Sequence, residues 1–237
     1  MTEFIHSGKE KKNYVQNMFD EISPRYDFLN HLLSFGLDFY WRRRLVSALP
    51  VLMDKPVLDV ATGTGDVGVL IQKGHPESTV YGLDYSFQMT RHCLEKTRTK
   101  KCPAFYVLQG DGESLPFPDQ SFSAITISFG FRNIGHYDNA LQEFSRVLVP
   151  GGSLLILEFA LPQSKIFAAL YRWYFHVILP RLAAFFSRAD AYRYLPESVG
   201  EFPSRSKLET LVLGNGFKHV SIKNMTFGTV TLIQANT

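Results

Sequence analysis

Glycines and acidic residues follow directly after an apolar run at positions 57–60, a combination that can bind a nucleotide. The run reads Val-Leu-Asp-Val and is followed by Ala-Thr-Gly-Thr-Gly-Asp at 61–66. Glycines in a turn between a strand and a helix let a ligand approach the bare backbone and the amide groups at the helix N-terminus. We therefore predict that Gly63 and Gly65 belong to a nucleotide-binding loop.

The glycine pattern of this loop is compatible with two different nucleotide cofactors. Gly63, Gly65 and Gly68 match the G-x-G-x-x-G pattern of dinucleotide-binding proteins, and Asp84 follows at the expected distance of roughly 20 residues. Asp59 argues against NAD, because a carboxylate ahead of the loop would repel a pyrophosphate and attract a cation. S-adenosylmethionine carries positive charge on its sulfonium and amino groups. We therefore expect S-adenosylmethionine as the cofactor, with S-adenosylhomocysteine as its product.

Two later strand ends carry acidic residues that can complete the nucleotide site. Asp84 follows the second predicted strand, where a carboxylate can bind ribose hydroxyls, and Gly110-Asp111-Gly112-Glu113 follows the third, where it can bind adenine. Parallel strands place their carboxyl ends at one edge of a sheet, so the three loops meet in one crevice. Each loop alone could hold only turn glycines and capping acids, but three in succession predict a binding site.

Alternating strand and helix patterns predict the scaffold that holds these loops. Strands are predicted at 56–60, 78–83, 105–108, 122–129 and 153–159, with a closing pair at 217–222 and 230–234, and helices at 66–73, 86–98, 137–148 and 208–213. This alternation indicates an α/β, Rossmann-like fold with a mostly parallel sheet. We expect residues 1–237 to form a single domain, with a helical N-terminal lid at 1–50 and a helical substrate-side insertion at 160–205.

Composition and charge exclude several classes of protein. The chain has 237 residues, of which 45% are hydrophobic and 20% charged, as in an ordinary globular protein. A net charge of +3 is too small to indicate nucleic-acid binding. Cys93 and Cys102 form neither a metal-binding motif nor a disulfide framework, so we expect reduced thiols, no metal and a cytoplasmic location.

Separated blocks of distinctive sequence run through nearly the whole chain: Phe19-Asp20-Glu21-Ile22-Ser23, Ser34-Phe35-Gly36, Leu115-Pro116-Phe117, Ile125 to Asn133, Tyr192-Arg193-Tyr194-Leu195 and Asn224-Met225-Thr226. In these blocks the chain resembles the ubiquinone/menaquinone C-methyltransferases of the class I S-adenosylmethionine-dependent superfamily. The resemblance implies a seven-stranded sheet with helices on both faces and an antiparallel C-terminal strand. One departure is Asp38, where relatives commonly carry histidine, so no acid/base residue is predicted on the N-terminal lid.

The resemblance also assigns cofactor contacts by position. Thr64 is expected near the methionine portion and Ser128 beside the reacting sulfur. Asp84 would bind the ribose, while Asp111 and the backbone of Gly112 would hold the adenine edge. The implied reaction is C-methylation of a reduced prenylated quinone, with demethylmenaquinol preferred and a ubiquinone precursor, or both, left open.

Three residues are candidates for the chemistry. A ring carbon is nucleophilic only in an electron-rich ring, so we expect the quinol, rather than the quinone, to react. Arg132, just past the fourth strand, is the first candidate to stabilise the developing phenolate; structural pairing with Glu158 or Asp27 is the alternative. His176 or Tyr171 could serve as the base instead, and simple burial in the core is the alternative for both.

The aromatic segment from Ile166 to Phe186 leaves three interpretations open. It contains Arg172, His176 and Arg181, which a bilayer-spanning helix would not normally carry. It can therefore be a lid over an apolar cleft, a helix lying at the inner face of the cytoplasmic membrane, or part of the core. The sequence leaves a homo-oligomer open as well.

Three other functions also remain open at this point. One is methylation of a sterol, small phenol or amine by the same fold. The second is an NAD-dependent oxidoreductase, supported only by the glycine pattern. The third is a binding protein without catalytic activity, against which the three intact nucleotide loops argue.

Overall fold

The N-terminal region folds into three helices. The computed structural model describes residues 7–50, 54–174, 177 and 189–237. Helices α1 (Gly8–Ile22), α2 (Tyr26–Leu33) and α3 (Leu37–Val46) follow one another, with a 3-10 turn at Ser23–Arg25. Gly36 has a φ of 74°, a left-handed conformation that favours glycine and lets the chain turn from α2 into α3.

Strands and helices then alternate as the sequence predicts. The elements up to the fifth strand are β1 (Val57–Val60), α4 (Asp66–Gly74), β2 (Val80–Asp84), α5 (Phe87–Thr99), β3 (Phe105–Gln109), β4 (Phe122–Ser128), α6 (Tyr137–Val147) and β5 (Leu148–Phe159). The remaining elements are α7 (Lys165–Trp173), α8 (Ala189–Gly200), α9 (Arg205–Gly214), β6 (His219–Met225) and β7 (Val230–Asn236). None of the helices in the described ranges has the length and apolar character that a membrane crossing requires.

The seven strands form one sheet in the order β3-β2-β1-β4-β5-β7-β6. Strands β1 to β5 pair in parallel, and β7 runs antiparallel to both β5 and β6. This arrangement confirms the predicted mostly parallel sheet with an antiparallel C-terminal strand. Strand order reverses direction between β1 and β4, and ligands of open α/β sheets bind in the crevice outside the carboxyl ends at such a point.

Both faces of the sheet are covered by helices. Strand β5 shows this directly, because successive side chains of a strand point to opposite faces. Leu154 and Ile156 belong to a core cluster that includes residues of α6 and α9, whereas Leu155 and Leu157 belong to a second cluster with residues of α3, α4 and α5. Helices on both faces, as predicted, therefore bury the sheet.

Strand β5 begins earlier than predicted. Positions 150–152, expected to form a turn after the helix, lie inside the strand as an irregularity in its pairing with β4. The register changes between the pairs Phe122–Leu148 and Ala124–Ser153, and Gly151 has a φ of 78°. A glycine in the left-handed region supplies the local bend of a β-bulge, so the Pro-Gly-Gly sequence interrupts the ladder without ending it.

Candidate active site

A cavity of about 110 Å³ lies at the carboxyl ends of β1 to β4, where the sequence predicts the nucleotide site. Five of the predicted cofactor residues line it: Gly63, Asp84, Asp111, Gly112 and Ser128. Helix α1 adds a second set that no sequence pattern indicated, namely Lys12, Val15, Gln16 and Phe19. The cavity therefore lies between the strand ends and the N-terminal helix.

The first loop presents backbone to the cavity. Gly63 has a φ of 57°, and its amide donates a hydrogen bond of 2.8 Å to Oδ2 of Asp84. A Cβ atom on Gly63 would meet nothing nearer than the Tyr26 ring at 3.9 Å, so glycine leaves open space at this point. Ala61 also has a positive φ, 50°, which is uncommon for a residue other than glycine and is found at functional sites.

Asp59 orders the loop, as predicted, and is not among the described residues that line the cavity. That it faces the cationic ligand stays a prediction. Its carboxylate accepts hydrogen bonds from Thr62 Oγ1 at 2.6 Å and from Thr126 Oγ1 at 2.7 Å. The side chain is buried, and burial raises the pKa of Asp59 to about 6. Val60, one residue nearer the carboxyl end of β1, lines the cavity.

Thr64 and Gly65 also serve the loop's architecture rather than lining the cavity. Thr64 Oγ1 donates to Asp27 Oδ1 at 2.5 Å and accepts from Lys96 Nζ at 2.8 Å. Gly65 has a φ of 89° and lies so close to the Cys93 side chain that a Cβ atom would stand 2.5 Å from its sulfur. The resemblance placed Thr64 beside the cofactor, whereas the structure ties it to α2 and α5.

Asp84 is well placed to hold a pair of hydroxyl groups. Its Oδ1 accepts from the Ser86 amide at 2.9 Å and its Oδ2 from the Gly63 amide, so each oxygen retains acceptor capacity. Burial raises the pKa of Asp84 to about 6, and the nearby charge of Asp20 adds to this effect. Above that pH the residue is an ionised acceptor, as ribose hydroxyls require.

Asp111 is held by a lysine that the sequence analysis did not single out. Lys12 Nζ lies 2.7 Å from Asp111 Oδ2 and 3.0 Å from Glu113 Oε2. Glu113 also accepts from the Gly135 amide at 2.8 Å. Lys12 thereby connects α1 to the loop after β3, over a sequence distance that leaves no local pattern to recognise.

The Ser128 hydroxyl provides a test of whether the cavity suits a polar ligand. Its Oγ is buried and has no hydrogen-bond partner in the described part of the chain, although Ser128 lines the cavity. A buried polar group left without a partner costs about 1–3 kcal/mol. An occupant that hydrogen bonds to Ser128 would remove this cost, so the residues present fit a nucleoside cofactor with polar substituents.

A second, larger cavity of about 640 Å³ adjoins the first. Twelve of the 25 described residues that line it are aromatic: Phe19, Tyr26, Phe35, Trp41, Phe129, Phe159, Phe167, Tyr171, Trp173, Tyr174, Tyr194 and Phe227. Its volume falls within the usual range of roughly 300–1,000 Å³ for small-molecule sites. Among the described residues, Phe19, Tyr26 and Phe129 line both cavities, so the nucleotide site and the apolar site share these three aromatic residues.

Arg132 brings a buried positive charge to the wall of the apolar cavity. Its Nη1 lies 2.8 Å from Glu158 Oε1, and its backbone amide donates to Glu158 Oε2 at 3.1 Å. The guanidinium also donates to the carbonyl of Phe129 and stands 5.6 Å from the centroid of the Phe159 ring. The structural pairing of Arg132 with Glu158, which the sequence left open as an alternative, is present. Arg132 nevertheless also lines the apolar cavity.

The two residues considered as alternative bases, Tyr171 and His176, differ in what the structure shows about them. Tyr171 is buried and lines the apolar cavity, and burial raises its pKa well above the usual value for tyrosine. It therefore keeps its proton at neutral pH, which argues against a role as base. His176 lies outside the described residues. Asp27, the other suggested partner of Arg132, instead pairs with Lys96 at 2.6 Å.

Comparisons with known proteins agree with this geometry. The model of the ubiE/COQ5 methyltransferase family matches residues 7–236. A ubiquinone/menaquinone biosynthesis C-methyltransferase UbiE from Syntrophotalea carbinolica is 45% identical over 91% of this chain and 90% of its own length. A demethylmenaquinone methyltransferase from Thermus thermophilus is 44% identical over 91% of this chain and 97% of its own length.

The fold is also shared with solved structures. The crystal structure of an S-adenosylmethionine-dependent methyltransferase from Thermotoga maritima matches with a TM-score of 0.65 at 16% identity, over 93% of this chain and 98% of that one. The nucleotide crevice at the ends of β1 to β4 and the mixed seven-stranded sheet thus define a class I S-adenosylmethionine-dependent methyltransferase. More particularly, the chain belongs to the ubiE/COQ5 methyltransferase family.

Proposed function

We propose that the enzyme methylates a ring carbon of a reduced prenylated quinone, with demethylmenaquinol as the preferred substrate and a ubiquinone precursor as the alternative. The observation that carries this proposal is the large aromatic cavity next to the cofactor cavity. An apolar ring with a greasy tail fits such a wall, whereas a small polar amine would leave most of it uncovered. The names of the relatives support both head groups.

Positioning is the main contribution of the aromatic wall to the reaction. S-adenosylmethionine supplies an electrophilic methyl group on a positively charged sulfur. Phe19, Tyr26 and Phe129, which line both cavities, would hold the ring against that methyl and exclude water. Correct alignment of two reactants can lower a barrier by about 7–11 kcal/mol. Aromatic faces also stabilise a nearby cation before transfer.

Arg132 would stabilise the substrate oxygen. As the ring carbon takes up the methyl group, a deprotonated or hydrogen-bonded hydroxyl supplies electron density to the ring. The Arg132 guanidinium, buried and held by Glu158 at 2.8 Å, presents a fixed donor to that oxygen. Fixed donors of this kind are effective because they need no reorganisation during the reaction.

The helices outside the alternating sheet region would act as lids. Helix α1 contributes to the cofactor cavity, while α2, α3 and α7 contribute to the apolar one. We assign these roles to the 1–50 and 160–205 regions of one domain. Both regions would have to close over their ligands for the two cavities to exclude water together.

Exposed aromatic side chains surround the mouth of the apolar cavity. Phe35, Phe227 and Trp173 line this cavity and yet are 75%, 71% and 53% exposed. Aromatic side chains are favoured at membrane–water interfaces. A prenyl tail resides in the bilayer, so we propose that this rim contacts the membrane surface and admits the substrate from it.

Product analysis tests the proposed reaction. Purified protein would be incubated with labelled S-adenosylmethionine and reduced demethylmenaquinone, with the corresponding ubiquinone precursor in parallel, and the products identified by mass. We expect one methyl group on the ring of a quinol and much slower transfer to the oxidised quinone. Absence of transfer to both quinols, or equal rates for the reduced and oxidised forms, would refute the proposal.

Co-sedimentation with anionic vesicles tests the membrane contact separately. We expect the wild-type protein to enrich with the vesicles and the double variant Phe35→Ser/Phe227→Ser to lose most of that enrichment. Phe87→Ser is the matched control, because Phe87 is 56% exposed but lines neither cavity. Equal enrichment of the double variant and the control, or none for the wild-type protein, would count against the rim.

A further inference from the structure

One carboxylate interrupts the apolar wall of the large cavity. Of the described residues that line this cavity, Asp38 is the only acidic one. It lies in the first turn of α3, and its side chain is only 4% exposed. Arg132 and Arg42, the latter paired with Asp38, are cations in the same wall. The cavity therefore offers an occupant a negatively charged acceptor as well as a positively charged donor.

The neighbours of Asp38 hold it in one orientation and leave it able to accept a further hydrogen bond. Its Oδ2 contacts His31 Nδ1 at 2.6 Å and accepts from the Arg42 guanidinium. Its Oδ1 accepts from the Ser34 hydroxyl at 2.7 Å. An ionised carboxylate offers about four lone-pair sites. These three contacts leave acceptor capacity on Oδ1.

The same neighbours keep Asp38 ionised despite its burial. Burial alone would raise the pKa of Asp38, but the hydrogen bond from Ser34 and the charge of Arg42 outweigh it, so the pKa lies below its usual value. A carboxylate of this kind is a weak base and a strong acceptor. Its contribution to the reaction would therefore be to orient a donor group rather than to remove a proton.

A quinol and a quinone differ at the atoms that Asp38 would meet. Each oxygen of a quinol carries a hydrogen and can donate, whereas each quinone oxygen is a carbonyl that can only accept. A carbonyl placed against Asp38 would set lone pairs against a negative charge. Arg132, by contrast, can donate to an oxygen in either form, so it cannot discriminate between them by itself.

We infer that Asp38 accepts a hydrogen bond from one ring hydroxyl and thereby selects the reduced substrate over the oxidised one. The inference rests on the proposed quinol methylation and adds to it a residue that determines specificity. This role also explains why a carboxylate lines a cavity whose wall is otherwise largely apolar. A hydrogen bond to a charged group typically changes an affinity by about 10- to 150-fold, so the protein should bind the form that can donate this bond more tightly by that factor.

The test measures binding rather than turnover. Protein saturated with S-adenosylhomocysteine, which cannot react, would be titrated anaerobically with a short-chain demethylmenaquinone in its reduced and oxidised forms. We expect the wild-type protein to bind the reduced form about 10- to 150-fold more tightly. In Asp38→Asn the preference should nearly disappear, because an amide can donate to a carbonyl as well as accept from a hydroxyl.

Asp66→Asn is the matched control. Asp66 also lies near Arg42, at 3.6 Å, but it does not line the apolar cavity. This variant should disturb the ion pairs of Arg42 while leaving the preference for the quinol intact. A wild-type-like preference in Asp38→Asn, or an equal loss in both variants, would overturn the inference.

A second measurement needs no variant, so it stands even if Asp38→Asn does not fold. The two monomethyl ethers of the quinol each lack one hydroxyl donor. We expect one ether to bind the wild-type protein as poorly as the quinone and the other to bind better. Equal affinities for the quinol and both ethers would refute the role of Asp38. Methylation of the quinol by the wild-type enzyme would show that the proposed function stands independently of this result.

Discussion

Two carboxylates at neighbouring strand ends, the buried Asp59 and the half-buried Asp84, show how similar residues acquire different roles. Burial raises the pKa of both to about 6. Asp59 is enclosed by two threonine hydroxyls within the sheet, whereas Asp84 lines the cofactor cavity and binds the glycine loop through the Gly63 amide. The register pairs Asp59 with Gly82, so Asp84, two residues further along, points to the same face of the sheet as Asp59. Position along the strand, not the residue type, decides which of the two acids lines the cavity.

Asp84 should make cofactor binding sensitive to pH. Below about pH 6 its carboxyl gains a proton and loses acceptor capacity, so we expect the affinity for S-adenosylhomocysteine to fall as the pH drops through this value. Calorimetric titrations across the range would measure it. Asp84→Asn should bind more weakly with little change across this window, while Asp59→Asn should retain the wild-type pH dependence. A flat wild-type profile would contradict the assignment.

The raised pKa of Asp84 has the opposite effect on the stability of the protein without ligand: it makes the free energy of unfolding fall, not rise, with increasing pH. The folded protein holds a proton on Asp84 up to about pH 6, whereas the unfolded chain releases it near 3.8. The unfolded state therefore binds fewer protons between these values, and this group makes the free energy of unfolding decrease as the pH rises through the window. Cofactor binding and folding thus respond to Asp84 in opposite directions.

The contribution of the buried Arg132–Glu158 pair to stability can be separated from the contribution of Arg132 to the reaction. Arg132→Met leaves Glu158 charged and unpaired, so we expect a loss of about 3–5 kcal/mol in stability together with a loss of turnover. In the double variant Arg132→Met/Glu158→Leu most of the stability should return, because both charges of the pair have been removed. Turnover at saturating substrate should stay low, since the donor to the ring oxygen is absent.

Chemical denaturation and single-turnover rates would measure both parts of this prediction. If the double variant recovered turnover along with stability, Arg132 would be a structural residue only. Unchanged turnover in Arg132→Met would lead to the same conclusion.

At the scale of secondary structure, the sequence was informative wherever the relevant residues follow one another in the chain. The apolar run of β1, its glycine loop and the acids after β2 and β3 were all predicted, because a short strand and its turn leave a local pattern. Lys12 and Phe19 were missed as cofactor-cavity residues, because α1 reaches that cavity through contacts with distant loops. The contacts of Thr64 were missed for the same reason, since its partners lie on α2 and α5, and its role as a cofactor contact stays a prediction.

Gly68, the third glycine of the G-x-G-x-x-G pattern, allows close packing of a helix on the sheet, a role that the dinucleotide fingerprint also gives to this position. It lies in α4, where a Cβ atom would overlap the Phe105 ring of β3. We expect Gly68→Ala to cost about 1–3 kcal/mol through overpacking. Gly74→Ala, at the end of the same helix and with no atom within 4 Å of its Cβ position, is the control.

Equilibrium unfolding would compare the two alanine variants. The control should be neutral or stabilised by about 0.5–1 kcal/mol, since alanine favours the helix. Equal stabilities would show that α4 can shift away from β3 and that Gly68 is not needed for packing.

At the scale of the whole molecule, the two cavities share three wall residues, although they are built from separate parts of the chain. The sheet supplies the polar edge that holds the nucleotide, and the helices before and after it supply most of the apolar wall. The sequence predicted the two kinds of site but not that Phe19, Tyr26 and Phe129 would line both. These three come from α1, the start of α2 and the end of β4, so only the assembled fold brings them together.

Shared walls should couple the two ligands. A ligand in either cavity restrains the same three rings, so the second ligand has less side-chain freedom to restrict. We expect S-adenosylhomocysteine to bind about 5- to 150-fold more tightly when the apolar cavity holds a quinol, and the quinol to gain the same factor from S-adenosylhomocysteine. Calorimetry in both orders of addition would measure the coupling and its reciprocity.

Two variants test whether the shared rings carry the coupling. Phe129→Ala should reduce the coupling more than it reduces the affinity for either ligand alone. Phe167 lines only the apolar cavity, so Phe167→Ala should reduce the affinity for the quinol and leave the coupling in place. Independent binding of the two ligands in the wild-type enzyme would mean that the three rings separate the cavities rather than connect them.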